Sequence, residues 1–89
     1  TNSAQTQQAI ASGIQESIQC GVTALCDISV GGASYAQLRQ APIRSLVCTE
    51  ILGLNPERLE PIWGECIKWL ESHPGDSKTA VGISPHAPY

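Results

Sequence analysis

The stretch Ser84-Pro85-His86-Ala87-Pro88-Tyr89 sets an imidazole between two prolines. Each proline fixes its own φ, so the ring sits on a stiff loop. An imidazole held this way can exchange a proton or a hydrogen bond near neutral pH, which is what a substrate pocket needs from a preorganised group. The same histidine could equally serve the backbone alone. Glu50 follows Thr49 at the end of an apolar run, and a carboxylate there must find a partner or face a cavity. Either it lines a pocket and orients a substrate, or it forms an ion pair with Arg44 or a neighbouring residue, the simpler expectation. Asp27, late in an earlier apolar run, either faces the same mouth or caps the glycine turn after it. Capping is the commoner use of Asp at a strand end.

Other constellations exclude more than they offer. Gly31-Gly32 fits neither G-x-G-x-x-G nor G-x-x-x-x-G-K-[ST] and reads as a plain turn. Cys20, Cys26, Cys48 and Cys66 include no C-x-x-C pair, and His73 and His86 belong at opposite ends of a strand–helix unit. Ordinary ligand spacing therefore assembles no metal site within the chain. The thiols lie in apolar segments and are expected to be buried and free, with a Cys26–Cys48 redox pair on adjacent strands as the alternative. Trp63 falls on an apolar helical stripe and is expected in the core. Trp69 falls off that stripe, against a neighbouring helix or subunit. His73, beside Pro74 at a helix end, suits the negative pole of the helix dipole.

The elements that must carry these residues alternate. Thr1, Asn2 and Ser3 are competent N-caps, Ile10, Ile14 and Ile18 make one stripe with Ala11 beside it, and Gly21 stops the helix in the left-handed region. A helix over residues 4–20 follows. Residues 22–28 are short, apolar and follow a glycine, the pattern of a parallel strand buried on both faces. Ser34 caps a short helix to Gln40, which Pro42 stops. Residues 43–51 form the second strand, closed by Gly53. Asn55 caps the next helix and Pro56 suits its first turn. Leu59, Ile62, Trp63, Cys66, Ile67 and Leu70 are the strongest periodic signal, interrupted by Pro61. A short opening turn and a main helix over 61–72 are expected, with Glu65, Lys68 and Glu71 on the polar side. Residues 79–84 form the third strand. The order α-β-α-β-α-β implies parallel pairing, either in an open doubly wound sheet or in an arc of a (β/α)₈ barrel. Both put chemistry beyond the carboxyl ends of the strands.

Composition narrows the class. The 89 residues are 42% apolar and 15% charged, which suits one small α/β domain or a piece of a larger one rather than a disordered chain. Eight acids against five bases give a net charge of −3 with no basic stripe, so nucleic acid is not an expected partner. No apolar run approaches membrane-spanning length and no secretion signal is visible, so the expected setting is cytoplasmic, without a membrane. A start at a helix cap without Met and an end just past a strand fit an internal segment of a longer protein.

The stretches Gly21-Val22-Thr23-Ala24-Leu25-Cys26-Asp27, Arg44-Ser45-Leu46-Val47 running to Glu50-Ile51-Leu52-Gly53-Leu54, and Gly82-Ile83-Ser84-Pro85-His86-Ala87-Pro88-Tyr89 resemble, in this order, the amidohydrolase superfamily. The resemblance is nearest to the branch of cytosine, guanine and S-adenosylhomocysteine deaminases and triazine chlorohydrolases. The third stretch is the specific one. The resemblance implies a partial (β/α)₈ TIM barrel. Residues 1–89 would run from the first crossover helix to just past the fourth barrel strand, supplying the second, third and fourth parallel strands with their crossover helices and no second domain. It implies a zinc or iron ion that activates water for hydrolytic deamination of a purine-like or other nitrogen heterocycle. The metal ligands and the catalytic glutamate would lie on barrel strands outside these residues, so the segment alone would be inactive. His86 takes the substrate-contacting role in this mapping, Tyr89 shapes the pocket wall, and Glu50 lines the pocket. Glu50 would repel a substrate bearing an anionic tail. The expected partners are the heterocyclic substrate and the remainder of the barrel, with homo-oligomerisation left open.

Two other readings compete. One is a self-contained, non-catalytic α/β binding or scaffold module, favoured by the missing catalytic constellation. The other is a thiol-based redox protein. Three parallel strands alone would leave two unpaired edges and an exposed apolar face, a hazard for any self-contained module.

Overall fold

A computed structural model of the chain describes residues 3–51 and 56–86. Helix α1 (Ser3–Gln19), strand β1 (Ala24–Ser29), helix α2 (Tyr35–Gln40), strand β2 (Arg44–Ile51), helix α3 (Pro56–Ser72) and strand β3 (Thr79–Pro85) follow in that order. The three strands form one parallel sheet in the order β1-β2-β3. The α/β class, the parallel pairing and the helices between strands are therefore as the sequence pattern implies, and they are compatible with a partial β/α unit. The proposed caps Thr1, Asn2 and Asn55, the closing Gly53, and Tyr89 lie outside the described residues.

Each helix boundary has a local cause. Gly21 sits at φ 88°, where its N–H donates to the Ile18 carbonyl and the Val22 N–H donates to Ser17. That pair of bonds is a Schellman stop, so Gly21 ends α1 as its position implies. The break expected at Pro61 does not occur, because Pro56–Ser72 is one helix with Pro61 inside it. Pro61 lies on the exposed side near the amino end. The one bond it forfeits would have gone to the Glu57 carbonyl in the exposed first turn, a cheap place to lose a backbone bond. Ser34 stands at the N-cap of α2 but makes no side-chain cap. Its hydroxyl donates instead to Asp27 Oδ2 at 2.5 Å, and its N–H donates to Ser29 Oγ at 3.2 Å.

All three helices cover the same face of the sheet. Tyr35, Leu38, Ile43 and Val47 form the buried core, and Ile14, Ile18, Leu25, Trp69 and Val81 pack against it. Val47, at the centre of the middle strand, is fully buried. The opposite face is bare, so β1 alternates between exposed Ala24, Cys26 and Ile28 and better covered Leu25, Asp27 and Ser29. The expectation of a β1 buried on both faces is thus corrected. Its apolar residues are present, but only one layer of helix exists among the described residues to cover them.

The face of α3 that meets the sheet is also rotated from the expected stripe. Ile62, Cys66, Trp69 and Leu70 turn inward, while Trp63 is half exposed. Trp63 is therefore not in the core as expected, whereas Trp69 packs against the neighbouring helix α2, as expected, and also borders the core. Trp69 stacks on His73 at 4.6 Å and meets the edge of Tyr35 at 6.0 Å, and His73 meets Tyr35 edge-on at 4.8 Å. This three-ring cluster fastens α3 to α2, and among the described residues no ring partner is found for Trp63. A carbonyl only accepts, so the contact of 2.7 Å between His73 Nδ1 and the Trp69 carbonyl puts the proton on Nδ1. His73 thereby serves the carboxyl end of α3, as its place in the sequence implies.

Charged groups secure the amino ends of the strands. Lys78 Nζ donates to the carbonyls of Arg39, at 2.6 Å, and Ala41 at the end of α2, where a cation opposes the helix dipole. Asp76 Oδ1 accepts the N–H groups of Thr79, at 2.7 Å, and Lys78, at 2.8 Å, while Arg39 Nε lies 3.4 Å from Oδ2. Those two backbone bonds, with Arg39 beside them, hold the Asp76 carboxyl below its ordinary value.

Two predictions follow from this packing. Gly32 has φ 69°, and a Cβ there would lie 2.2 Å from Trp69 Nε1. Gly32→Ala should destabilise by at least the ~1–2 kcal/mol of a left-handed non-glycine residue, read as a lowered denaturant midpoint. Asp76 favours folding in its ionised form, so its contribution is complete above about pH 4, the unfolded carboxyl range, and fades as pH falls further. Asp76→Asn should lower stability at pH 7 and flatten the acid limb of a stability–pH curve.

Candidate functional site at the carboxyl edge of the sheet

Parallel pairing brings the carboxyl ends of all three strands to one edge. In the register Glu50 faces Ser84, and Ile51 faces Pro85. Alternation along β3 puts His86 on the same face as Ser84, and hence on the same bare face as Glu50. The two expected pocket residues meet there, with His86 Nε2 4.0 Å from Glu50 Oε1. Their side chains are 39% and 23% exposed respectively, so both remain open to a ligand.

The prolines are only part of what holds the histidine. The His86 N–H donates to the Ile51 carbonyl at 2.8 Å, which carries the β2–β3 ladder one residue past the strand. The backbone of His86 is thus tied to the same strand that presents Glu50. Ala87, Pro88 and Tyr89 lie outside the described residues, and so does the part assigned to Tyr89.

The alternative of a Glu50–Arg44 ion pair does not hold. Arg44 opens β2 and Glu50 stands six residues along the same strand, about 20 Å away at ~3.3 Å per residue. At physiological ionic strength that is more than two screening lengths of roughly 8 Å. Arg44 therefore leaves Glu50 to interact with His86 or with whatever enters the edge.

Asp27 takes no part in this meeting. It pairs with Val47 in the register and so lies on the helix-covered face, where its carboxylate accepts the Ser34 hydroxyl. Its role is to tie β1 to the start of α2 through the side chain of Ser34 rather than to cap the glycine turn. A cavity of about 290 Å³ opens beside the edge between the glycine turn and α3, with Glu50, Glu65, Cys66 and Trp69 among its lining. The indole N–H of Trp69 is buried without a hydrogen-bond partner among the described residues. The sequence reading overlooked this cavity, because Glu65 and Trp69 reach it only once α3 is rotated as described. Among the described residues no group of three or more His, Cys, Asp or Glu side chains is arranged to hold a metal ion.

The thiols depart from the expectation of uniform burial. Cys20 and Cys26 are exposed, Cys48 is half-buried and Cys66 is buried. Cys20 lies past the apolar stripe of α1, and Cys26 lies on the bare face of β1. Burial first, and then the neighbouring Cys26, push the Cys48 thiol up. Burial, with Glu65 beside it, does the same to Cys66. A raised thiol is a poor nucleophile, so Cys48 does not serve as an activated thiolate. In the 89-residue chain a thiol reagent at pH 8 should label Cys20 and Cys26 first, with Cys48 and Cys66 lagging. Mass spectrometry of labelled peptides reads that order, and early labelling of Cys48 would contradict it.

The chain matches no protein-family model, no curated protein and no solved structure.

Proposed function

We propose that the chain is an internal segment of a metal-dependent amidohydrolase that deaminates a purine-like or other nitrogen heterocycle, with His86 and Glu50 as its contribution to the substrate pocket. The observation that supports this reading is the meeting of His86 and Glu50 on the bare face, at the carboxyl edge of a parallel sheet. Parallel β/α proteins do their chemistry at that edge. In this reading the bare face turns toward the inside of a (β/α)₈ barrel and the remainder of the barrel covers it. The described residues do not fit a metal site, so the ion and the water it would activate belong to other parts of the parent protein.

What these residues would do is bind and orient. The imidazole of His86 offers a donor or an acceptor to a ring nitrogen or to a leaving amino group, according to its tautomer. Glu50, acceptor-only when ionised, takes N–H donors of the heterocycle and steadies the Nε2 side of His86. The ladder bond from His86 to Ile51 keeps this pair in place without a ligand, which lowers the ordering cost of binding.

The self-contained binding or scaffold module is the weaker reading. Ile28 is 57% exposed and Leu46 38% exposed on the bare face, and β1 and β3 are both sheet edges. A domain complete in itself would leave both an apolar face and two edges open to aggregation.

His86→Ala in the full-length enzyme should lower kcat/KM for the heterocycle by roughly 10²-fold or more, on the scale of losing a positioned acid–base group. Metal content, read by elemental analysis, should stay unchanged. Unaltered kinetics would remove His86 from the site, and loss of metal would make it a ligand instead of a substrate contact.

A further inference from the structure

We infer that Glu50 makes the carboxyl-edge site selective for charge, admitting heterocycles that present N–H donors or positive charge and rejecting those that bear a carboxylate or phosphate. This rests on the substrate-pocket reading of the Glu50–His86 pair and extends it from where a ligand sits to which ligands are accepted.

The argument begins with what stands near the Glu50 carboxylate. Its side chain is 23% exposed, and the group recorded against it is His86 at 4.0 Å. That separation is longer than a hydrogen bond, so the carboxylate keeps acceptor capacity for an incoming N–H. The cavity beside it carries a second carboxylate, the exposed Glu65 of α3, in its lining.

Most of the cations that could cancel this charge are committed elsewhere or distant. Lys78 is bound to the carbonyls at the end of α2. Arg39 sits beside Asp76 and donates to the Tyr35 hydroxyl. Arg44 is at the far end of β2. Arg58 opens α3 in an exposed position, with Glu57 and Glu60 on either side of it in sequence. Lys68 lies toward the carboxyl end of α3. Arg58 is thus the one base near the carboxyl edge among the described residues, against Glu50, Glu57 and Glu60, and that edge carries net negative charge.

A half-buried carboxylate acts on a ligand through a medium less polarisable than water. A like charge brought within contact distance is penalised there more strongly than at an open surface. An amino-substituted ring instead offers N–H donors, and charge-assisted bonds to a carboxylate are about twice as strong as neutral ones.

The test uses the full-length protein and two purines of similar size, 2,6-diaminopurine and purine-6-carboxylate, with binding measured by titration calorimetry at pH 7.5. The unaltered protein should bind the diamino compound at least 10-fold more tightly. Glu50→Gln, which preserves shape and removes charge, should bring the ratio close to one, and Glu50→Lys should reverse it. Thermal melts of both variants confirm folding. Equal binding of the two purines by the unaltered protein, a ratio unmoved in Glu50→Gln, or no binding of either purine would each overturn the inference. Because binding is read without turnover, a protein that shows the ratio but hydrolyses nothing loses the hydrolase reading and keeps the charge selection. One that turns over a heterocycle with a ratio indifferent to residue 50 loses only the selection.

Discussion

The fold depends on one asymmetry, that every helix lies on the same side of the three parallel strands. Val47 is the centre of that arrangement. It is fully buried beneath Leu38 and Tyr35 of α2, with Ile14, Ile18 and Trp69 closing around the same cluster. Apolar burial on this side holds the layers together, and it leaves Cys26, Ile28, Leu46, Cys48 and Glu50 on a face with no cover among the described residues. The same asymmetry sets the site. Because side chains alternate along a strand, fixing Val47 inward fixes Glu50 outward, and the register then gives it Ser84 and His86 as neighbours.

The sheet and the site were legible in the sequence to different degrees. Strand positions came through because short apolar runs between glycines and prolines have few alternatives, and parallel pairing came through because helices separate the strands. His86 and Glu50 could be named because both fall at the carboxyl ends of such runs. Their approach to 4.0 Å could not be read, since it depends on the offset between β2 and β3, which no single strand encodes.

The departures share a cause. A helix pattern gives a stripe but not the angle at which that stripe meets its neighbour. In α3 the stripe was broad enough to include Trp63, yet the rings of Tyr35 and His73 lie on the side of Trp69. Exposure of Cys26 and Ile28 is of the same kind, because the apolar character of β1 says that the residues tolerate burial, not that a layer is present to bury them. Pro61 leaves α3 unbroken. The rule against proline in a helix concerns a lost bond and a clash, and both are mild one turn from an exposed amino end.

The order β1-β2-β3 in space repeats the order of the chain. Each of these strands can therefore dock beside the one made just before it, with its helix folding back over the pair, and none of the three must be threaded between neighbours already in place. Assembly of these three strands can proceed in step with emergence from the ribosome, one strand–helix increment at a time, and β3, the last of the three, is also the one that delivers His86 to Glu50.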